Sequence, residues 1–299
     1  MRVNQKQPSL SSGEGSGEKT MKDQFYQYIQ TLQDTITSKL EEVDGQAKFR
    51  EDFWDRPEGG GGRSRVIGNG KVFEKGGVNI SAVHGPLPKS MQDYFGVQEA
   101  DFFACGLSLV IHPKSPMVPT VHANWRYFEM YDKEGGMVDQ WFGGGQDLTP
   151  YYLFNEDAVH FHAVCKKYCD QNDTGFYKRF KAQCDSYFWN AHRDEARGIG
   201  GLFFDHCKAK DGMSMQDWYS FVTEVGDSFL EAYVPIVNKR KEQPYTQEQR
   251  DLPLEHHRTE RGSQWEQAAR RGPDSEGYFC MASGRWIRRE RVLSDSHPT

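Results

Sequence analysis

The chain has 299 residues and a mass of 34.4 kDa, enough for one large domain or two small ones with a substantial core. Its formal net charge of -6 and pI near 6.0 exclude a general nucleic-acid binder, and no apolar run approaches the ~20 residues needed to span a bilayer. Aromatic residues make up 13% of the chain, which calls for a large core, a large ligand or both.

Residues 1–20 are rich in Ser, Gly, Glu and Lys and read as a disordered leader. They lack the apolar stretch of a secretory signal and carry too many acids for a transit peptide. From Met21 to Phe49, apolar residues at Phe25, Ile29, Leu32, Ile36, Leu40 and Val43 recur at intervals of three and four and predict an amphipathic helix. Pro57 to Gly62 breaks structure with consecutive glycines, and Arg63, Arg65 and Lys71 follow. A glycine loop beside basic residues either wraps an anion or is a flexible turn.

Val66 to Phe73, with Gly68-Asn69-Gly70 between apolar residues, predicts a hairpin. Strands are expected around Val78, Ile80 and Ala82, then at Phe103–Ile111, Val118–Met130, Met137–Phe142 and Ile199–Phe204. Helices are expected from an Asn155 cap to about Asp170, through Phe180, Cys184, Tyr187 and Phe188, and from near Ser214 with Trp218, Phe221, Val225, Phe229 and Tyr233 inward. Strands grouped early, with helices grouped late, predict an α+β fold. The six cysteines form no CxxC pair and read as buried free thiols in a reducing compartment.

Thr120 to Phe128 carries the densest chemistry. Alternation on a strand puts His122, Asn124 and Arg126 on one face, and Val121, Ala123, Trp125 and Tyr127 on the other. An imidazole, a neutral hydrogen-bonder and a permanent cation in one row suit an anionic ligand whose protons must be moved; a polar solvent face is the alternative. On the preceding strand Ser108 and His112 share a face, and pairing of the two strands would join them to the row. Trp141 to Pro150 follows, with Gly143, Gly144 and Gly145 allowing close backbone approach and Asp147 expected on a loop. A glycine-rich bulge with a turn-capping Asp fits as well.

His112, His122, His162 and His192 come from separate segments and could meet around a divalent ion, although a lone histidine beside an apolar stripe is usually a satisfied core residue. Arg197, expected at a helix C-terminus, either offsets the helix dipole or forks a ligand carboxylate.

These segments together are similar to one family. The run Glu42-Val43-Asp44-Gly45-Gln46-Ala47-Lys48-Phe49, the segments Asn69–Lys75 and Gly77–Gly85, Val110-Ile111-His112-Pro113, Thr120–Phe128, Trp141–Pro150 and Arg197–Gly201 occur in order between about Leu40 and Arg250. Over that span the chain resembles the oxygen-dependent coproporphyrinogen III oxidases. The resemblance implies a large antiparallel β-sheet flanked on both faces by α-helices, a homodimer, and oxidative decarboxylation of two propionates of coproporphyrinogen III to give protoporphyrinogen IX in heme biosynthesis. It implies O2 as co-substrate, no required cofactor and a disputed divalent metal. By resemblance His122 is the proton donor and Asp147 binds the pyrrole N–H groups. Ser108, Asn124, Trp125, Arg126 and Arg197 contact or handle the substrate, with Arg126 grouped with the catalytic pair. His112, His122, His162 and His192 match proposed metal ligands, His192 alternatively supporting the dimer. The expected location is cytoplasmic, with a plastid or another organelle left open.

The resemblance is read to 250, giving a leader (1–20), an oxidase domain (21–250) and a divergent tail (251–299), frame-shifted or disordered. The tail lacks the strands that the family uses for its dimer contact and part of its substrate loop. The competing expectations are a non-catalytic tetrapyrrole binder that has lost the family C-terminus, and a metal-dependent hydrolase or oxygenase built on the histidines.

Overall fold

The structure is a computed structural model and describes residues 19–191, 194–210 and 212–251. Helix α1 (Met21–Asp44) opens on a capping box formed by Thr20 and Asp23 and stops five residues short of Phe49, where Gly45 adopts a φ of 73°. Then come β1 (Arg50–Asp55), β2 (Gly60–Gly68), β3 (Phe73–Pro86), the short α2 (Lys89–Phe95), β4 (Asp101–Pro113), β5 (Thr120–Tyr131) and β6 (Met137–Thr149). Helices α3 (Asn155–Asp170) and α4 (Phe176–Tyr187), the two-residue strands β7 (Trp189–Asn190) and β8 (Glu195–Ala196), β9 (Gly200–Cys207) and α5 (Met215–Arg240) complete the described chain.

Seven strands form one antiparallel sheet in the order β1-β2-β3-β4-β5-β6-β9, so the expected α+β architecture is the observed one. One face carries the main core. Val121, Ala123, Trp125 and Tyr127 are buried there with Leu107, Leu109, Phe142, Leu202 and Phe204, under residues of α1, α3, α4 and α5. Trp125 meets Phe229 of α5 edge-on at 6.0 Å. The opposite face carries a smaller cluster at one end only, where Phe102, Phe128, Met130 and Trp141 pack against Met91 and Phe95 of α2. Helices thus lie on both faces, but unequally, and the middle of the second face has no helix over it among the described residues.

Several local expectations change. The glycine run is not an anion loop: Gly60–Gly62 lie inside β2, where a Cβ on Gly62 would strike the Trp54 ring at 2.5 Å. Arg63 and Arg65 turn to α1 and β1 instead, at 2.9 and 2.7 Å from Asp34, with Arg65 also 2.8 Å from Glu51. The hairpin turn at Gly68-Asn69-Gly70 forms, with Asn69 at a φ of 56°. Strand β6 runs seven residues beyond Phe142, through the glycines and Asp147, because Gly144 and Gly145 pair with both neighbouring strands and Gly143 pairs with β5 instead of looping out. Asn155 is the first helical residue of α3 and makes no cap, whereas Ser214 caps α5 in a box with Asp217. The five described cysteines are buried and form no disulfide, and burial pushes Cys165 up to about 12, which disfavours its thiolate.

Candidate active site

The second face of the sheet collects most of the predicted residues. In an antiparallel pair, directly opposed residues project to the same side. Ser108 lies opposite Asn124 and Val110 opposite His122, while Asp147 lies opposite His122 and Gly143 opposite Arg126. His122, Asn124, Arg126, Ser108, His112 and Asp147 therefore belong to one surface. His112 sits at its margin, with Nδ1 3.5 Å from Thr120 Oγ1.

The row along β5 spans about 13 Å at strand rise. It is flanked by positions that carry little or no side chain: Gly106 and Gly143 beside Arg126, Gly145 beside Asn124, and Gly201 beyond Asp147. The result is a trough whose walls are imidazole, amide and guanidinium and whose floor is backbone. Asn79, opposite Ser108, extends the polar row onto β3. Sequence reading passed over Asn79, although it alternates with buried Val78 and Ile80 as Ser108 does with its neighbours.

Asp147 is not on a loop. It is buried on β6, and that burial pushes its carboxyl above the ordinary carboxylate range while the Arg197 guanidinium pulls it back. One Arg197 nitrogen donates to both Asp147 oxygens at 2.7 Å. His122 Nδ1 stands 3.7 Å from Asp147 Oδ2. Arg197 follows β8 instead of ending a helix, and its guanidinium lies 3.5 Å over the Phe188 ring. Arg126 donates to Asn124 Oδ1 at 3.2 Å and pairs with Asp205 Oδ2 at 2.7 Å. The sequence alone does not single out Asp205, although it shares a strand face with Gly201 and Phe203, opposite the buried Leu202 and Phe204 of β9.

Two predicted residues are placed elsewhere. Trp125 is fully buried on the helix side of the sheet and does not share the trough. His162, on α3, donates from Nε2 to the Ile199 carbonyl at 3.0 Å, and burial lowers its basicity. His192 lies outside the described residues. Among the described residues, no group of three or more His, Cys, Asp or Glu is placed to hold a metal ion.

A surface so built can bind a broad, electron-rich ring over glycine, offer a buried carboxyl to N–H donors, hold anionic groups with arginines and move protons through His122. Comparison with known proteins bears directly on which ring. The family model described as "Coproporphyrinogen III oxidase" matches residues 24–267 and so reaches beyond Arg250. The oxygen-dependent coproporphyrinogen-III oxidase of Coxiella burnetii (strain Dugway 5J108-111) is 47% identical over 234 residues, covering 76% of this chain and 73% of that protein. Coproporphyrinogen-III oxidase 1, chloroplastic, of Arabidopsis thaliana is 44% identical over 243 residues, 78% of this chain and 62% of its own length. The chloroplastic oxygen-dependent enzyme of Glycine max is 44% identical over 247 residues, 79% and 63%. The chain thus spans less than two thirds of these plant relatives. Among the described residues, no helix is long and apolar enough to cross a membrane.

Proposed function

This chain belongs to the coproporphyrinogen III oxidase family, and on that premise we propose that it oxidatively decarboxylates coproporphyrinogen III to protoporphyrinogen IX with O2, as an oxidoreductase of heme biosynthesis. The observation that carries the reading is the row His122-Asn124-Arg126, set between glycine positions and beside the buried Asp147. A porphyrinogen is a flexible macrocycle with four N–H donors and, in this substrate, four carboxylates. It needs a floor free of side chains, a central acceptor and cations at the rim.

Each decarboxylation takes a hydride equivalent from the propionate β-carbon, releases CO2 and leaves a vinyl group. The hydride and one proton reduce O2 to H2O2. The electron-rich pyrrole stabilises the cationic centre left by hydride loss, and the protein's part is orientation and proton control. His122 provides a proton at the reacting edge. Asp147 accepts the pyrrole N–H groups once Arg197 yields it, and Arg197 is then free for a substrate carboxylate. Ser108 and Asn124 offer hydrogen bonds along the same row. Trp125 acts from beneath the sheet as packing. No cofactor is needed in this scheme; if His112, His122, His162 and His192 hold a metal, chelators abolish activity.

The test is anaerobic loading with coproporphyrinogen III, admission of air, chemical oxidation and separation of the porphyrins. Appearance of tricarboxylic and then dicarboxylic product supports the reading, and their absence rejects it. We further propose a homodimer, for which light scattering should give twice 34.4 kDa, and a soluble location, cytoplasmic or, as the names of the plant relatives suggest, plastidic.

A further inference from the structure

Arg126 is held in a way that the preceding scheme does not use. The guanidinium is gripped from two sides, by Asn124 Oδ1 two residues before it on β5 and by Asp205 Oδ2 at 2.7 Å from β9. Strand β9 is not adjacent to β5; β6 lies between them. Asp205 reaches across because of two local features. The first is a β-bulge: Phe142 pairs with Cys207 and Gly144 with Phe204, so the single residue Gly143 faces Asp205 and His206 together. Within the bulge His206 takes a left-handed φ of 49°, and its ring stacks on Trp141 at 5.0 Å, which pins the bulge. The second is Gly143 itself. A Cβ there would collide with Asp205 Oδ1 and approach Arg126 Nε to 2.8 Å. The intervening strand is cut away at the point where the ion pair crosses it.

Asp205 is further fixed by its neighbour, since the His206 N–H donates to Asp205 Oδ1 at 2.9 Å. Its second oxygen is thereby aimed at the guanidinium. Both side chains are under one fifth exposed, at 18% for Arg126 and 17% for Asp205, so the pair is screened far less than a surface pair. One oxygen takes one nitrogen, and Asn124 takes another. A guanidinium has five N–H donors, so the clamp leaves most of the fork available for a ligand carboxylate.

We propose that Asp205 is a positioning residue for substrate: through the Gly143 gap it locks the Arg126 guanidinium in the plane and orientation that receive one carboxylate of the bound macrocycle. The inference rests on the functional reading above and adds a specificity determinant to it. An unclamped arginine samples many rotamers, and that freedom has to be lost on binding. A clamped one has lost it already, which favours planar, two-point recognition of carboxylate.

The test compares the wild-type protein with Asp205→Asn, which keeps shape and an acceptor oxygen but removes the charge, and with Asp205→Glu, which restores the charge on a longer arm. Two probes are titrated by fluorescence: coproporphyrin, the stable tetracarboxylate, and a tetrapyrrole bearing alkyl groups in place of every carboxylate. Loss of a charge-assisted hold on Arg126 should weaken coproporphyrin binding about tenfold in Asp205→Asn, leave the alkyl probe unchanged and be partly rescued in Asp205→Glu. In steady state the loss should fall on KM, with kcat nearly constant. In an Arg126→Ala background, Asp205→Asn should add nothing, because its effect runs through that guanidinium. NMR supplies a readout independent of turnover: the Arg126 Nη2–H protons, which face Asp205 Oδ2, should exchange faster with water in Asp205→Asn.

Equal loss of both probes would make Asp205 a merely structural residue and overturn the proposal. So would tighter coproporphyrin binding, which would make it a competitor for Arg126. Wild-type protein that binds no tetracarboxylate sinks the functional reading and this one with it. Wild-type binding with an unaffected Asp205→Asn sinks this one alone.

Discussion

Asp147 and His122 face each other across β5 and β6, with Asp147 Oδ2 3.7 Å from His122 Nδ1. At that separation the carboxylate acts on Nδ1 through charge, beyond hydrogen-bond range, and Nε2 is the ring nitrogen that can exchange a proton with a ligand. The same carboxyl is claimed by Arg197 at 2.7 Å, so two groups from two other segments converge on it. The strand alternation that made His122 conspicuous says nothing of this arrangement, which depends on the β5–β6 register.

If His122 is the proton donor, His122→Asn should lower kcat by about 10²–10⁴-fold, the usual range for loss of a positioned acid or base. Affinity for coproporphyrin should change little, because the amide keeps the size and polarity of the wall. Porphyrin product per turnover, measured with equilibrium binding on the same preparation, checks both parts. An unchanged kcat would remove His122 from the proton-transfer role.

Arg197 should reveal itself through pH. Burial raises the Asp147 carboxyl and the Arg197 charge counteracts that rise. Arg197→Gln removes the counteracting charge, so the carboxyl moves further upward and stays protonated to higher pH. A protonated Asp147 is a poorer acceptor for pyrrole N–H groups. The acid limb of kcat/KM should therefore shift to higher pH in the variant, and a profile superimposable on the wild type would show that ionisation of Asp147 does not govern turnover.

The sequence separates these residues by how local their cause is. His122, Asn124 and Arg126 are legible because period-two alternation is a property of a few neighbouring residues, and Val121, Ala123 and Trp125 mark the buried side between them. The sequence points Asp147 to a loop because a glycine triplet ordinarily breaks strands, and only partners on β5 and β9 keep this segment extended. Beside the glycine run Arg63 and Arg65 fit either an anion loop or a plain turn, since nothing local discloses that Asp34, 29 residues from Arg63, waits on α1. Asp205 was invisible for a similar reason: its meaning lies in a bulge and in a missing Cβ on another strand. Short α2 has too few residues for a helical period to register.

Trp125 offers a direct contrast between family resemblance and placement. Its indole is fully buried and meets Phe229 edge-on at 6.0 Å. Trp125→Ala should cost about 3–5 kcal/mol of stability, the range for truncating a buried large aromatic, read from urea unfolding. Trp125→Phe should fold with a smaller loss and keep the wild-type KM. A raised KM in a well-folded Trp125→Phe protein would return the residue to the substrate surface.

His162 should make stability depend on pH in the mildly acidic range. Its Nε2 donates to the Ile199 carbonyl at 3.0 Å, tying α3 to the segment that leads from Arg197 into β9. Burial holds its basicity below the ordinary value of 6.5, with Lys181 acting in the same direction and the Ile199 bond and Asp185 opposing. The folded state thus binds the His162 proton less readily than the unfolded chain, and the sign follows from that. The contribution is fully present above about pH 6.5, the unfolded value, and is lost as pH falls toward the depressed folded value. Urea midpoints taken from pH 7.5 down to 5.5 should fall in the wild type. In His162→Gln, which keeps an N–H donor but does not titrate, the fall should be shallower, and equal slopes in the two proteins would assign the acid sensitivity to other groups.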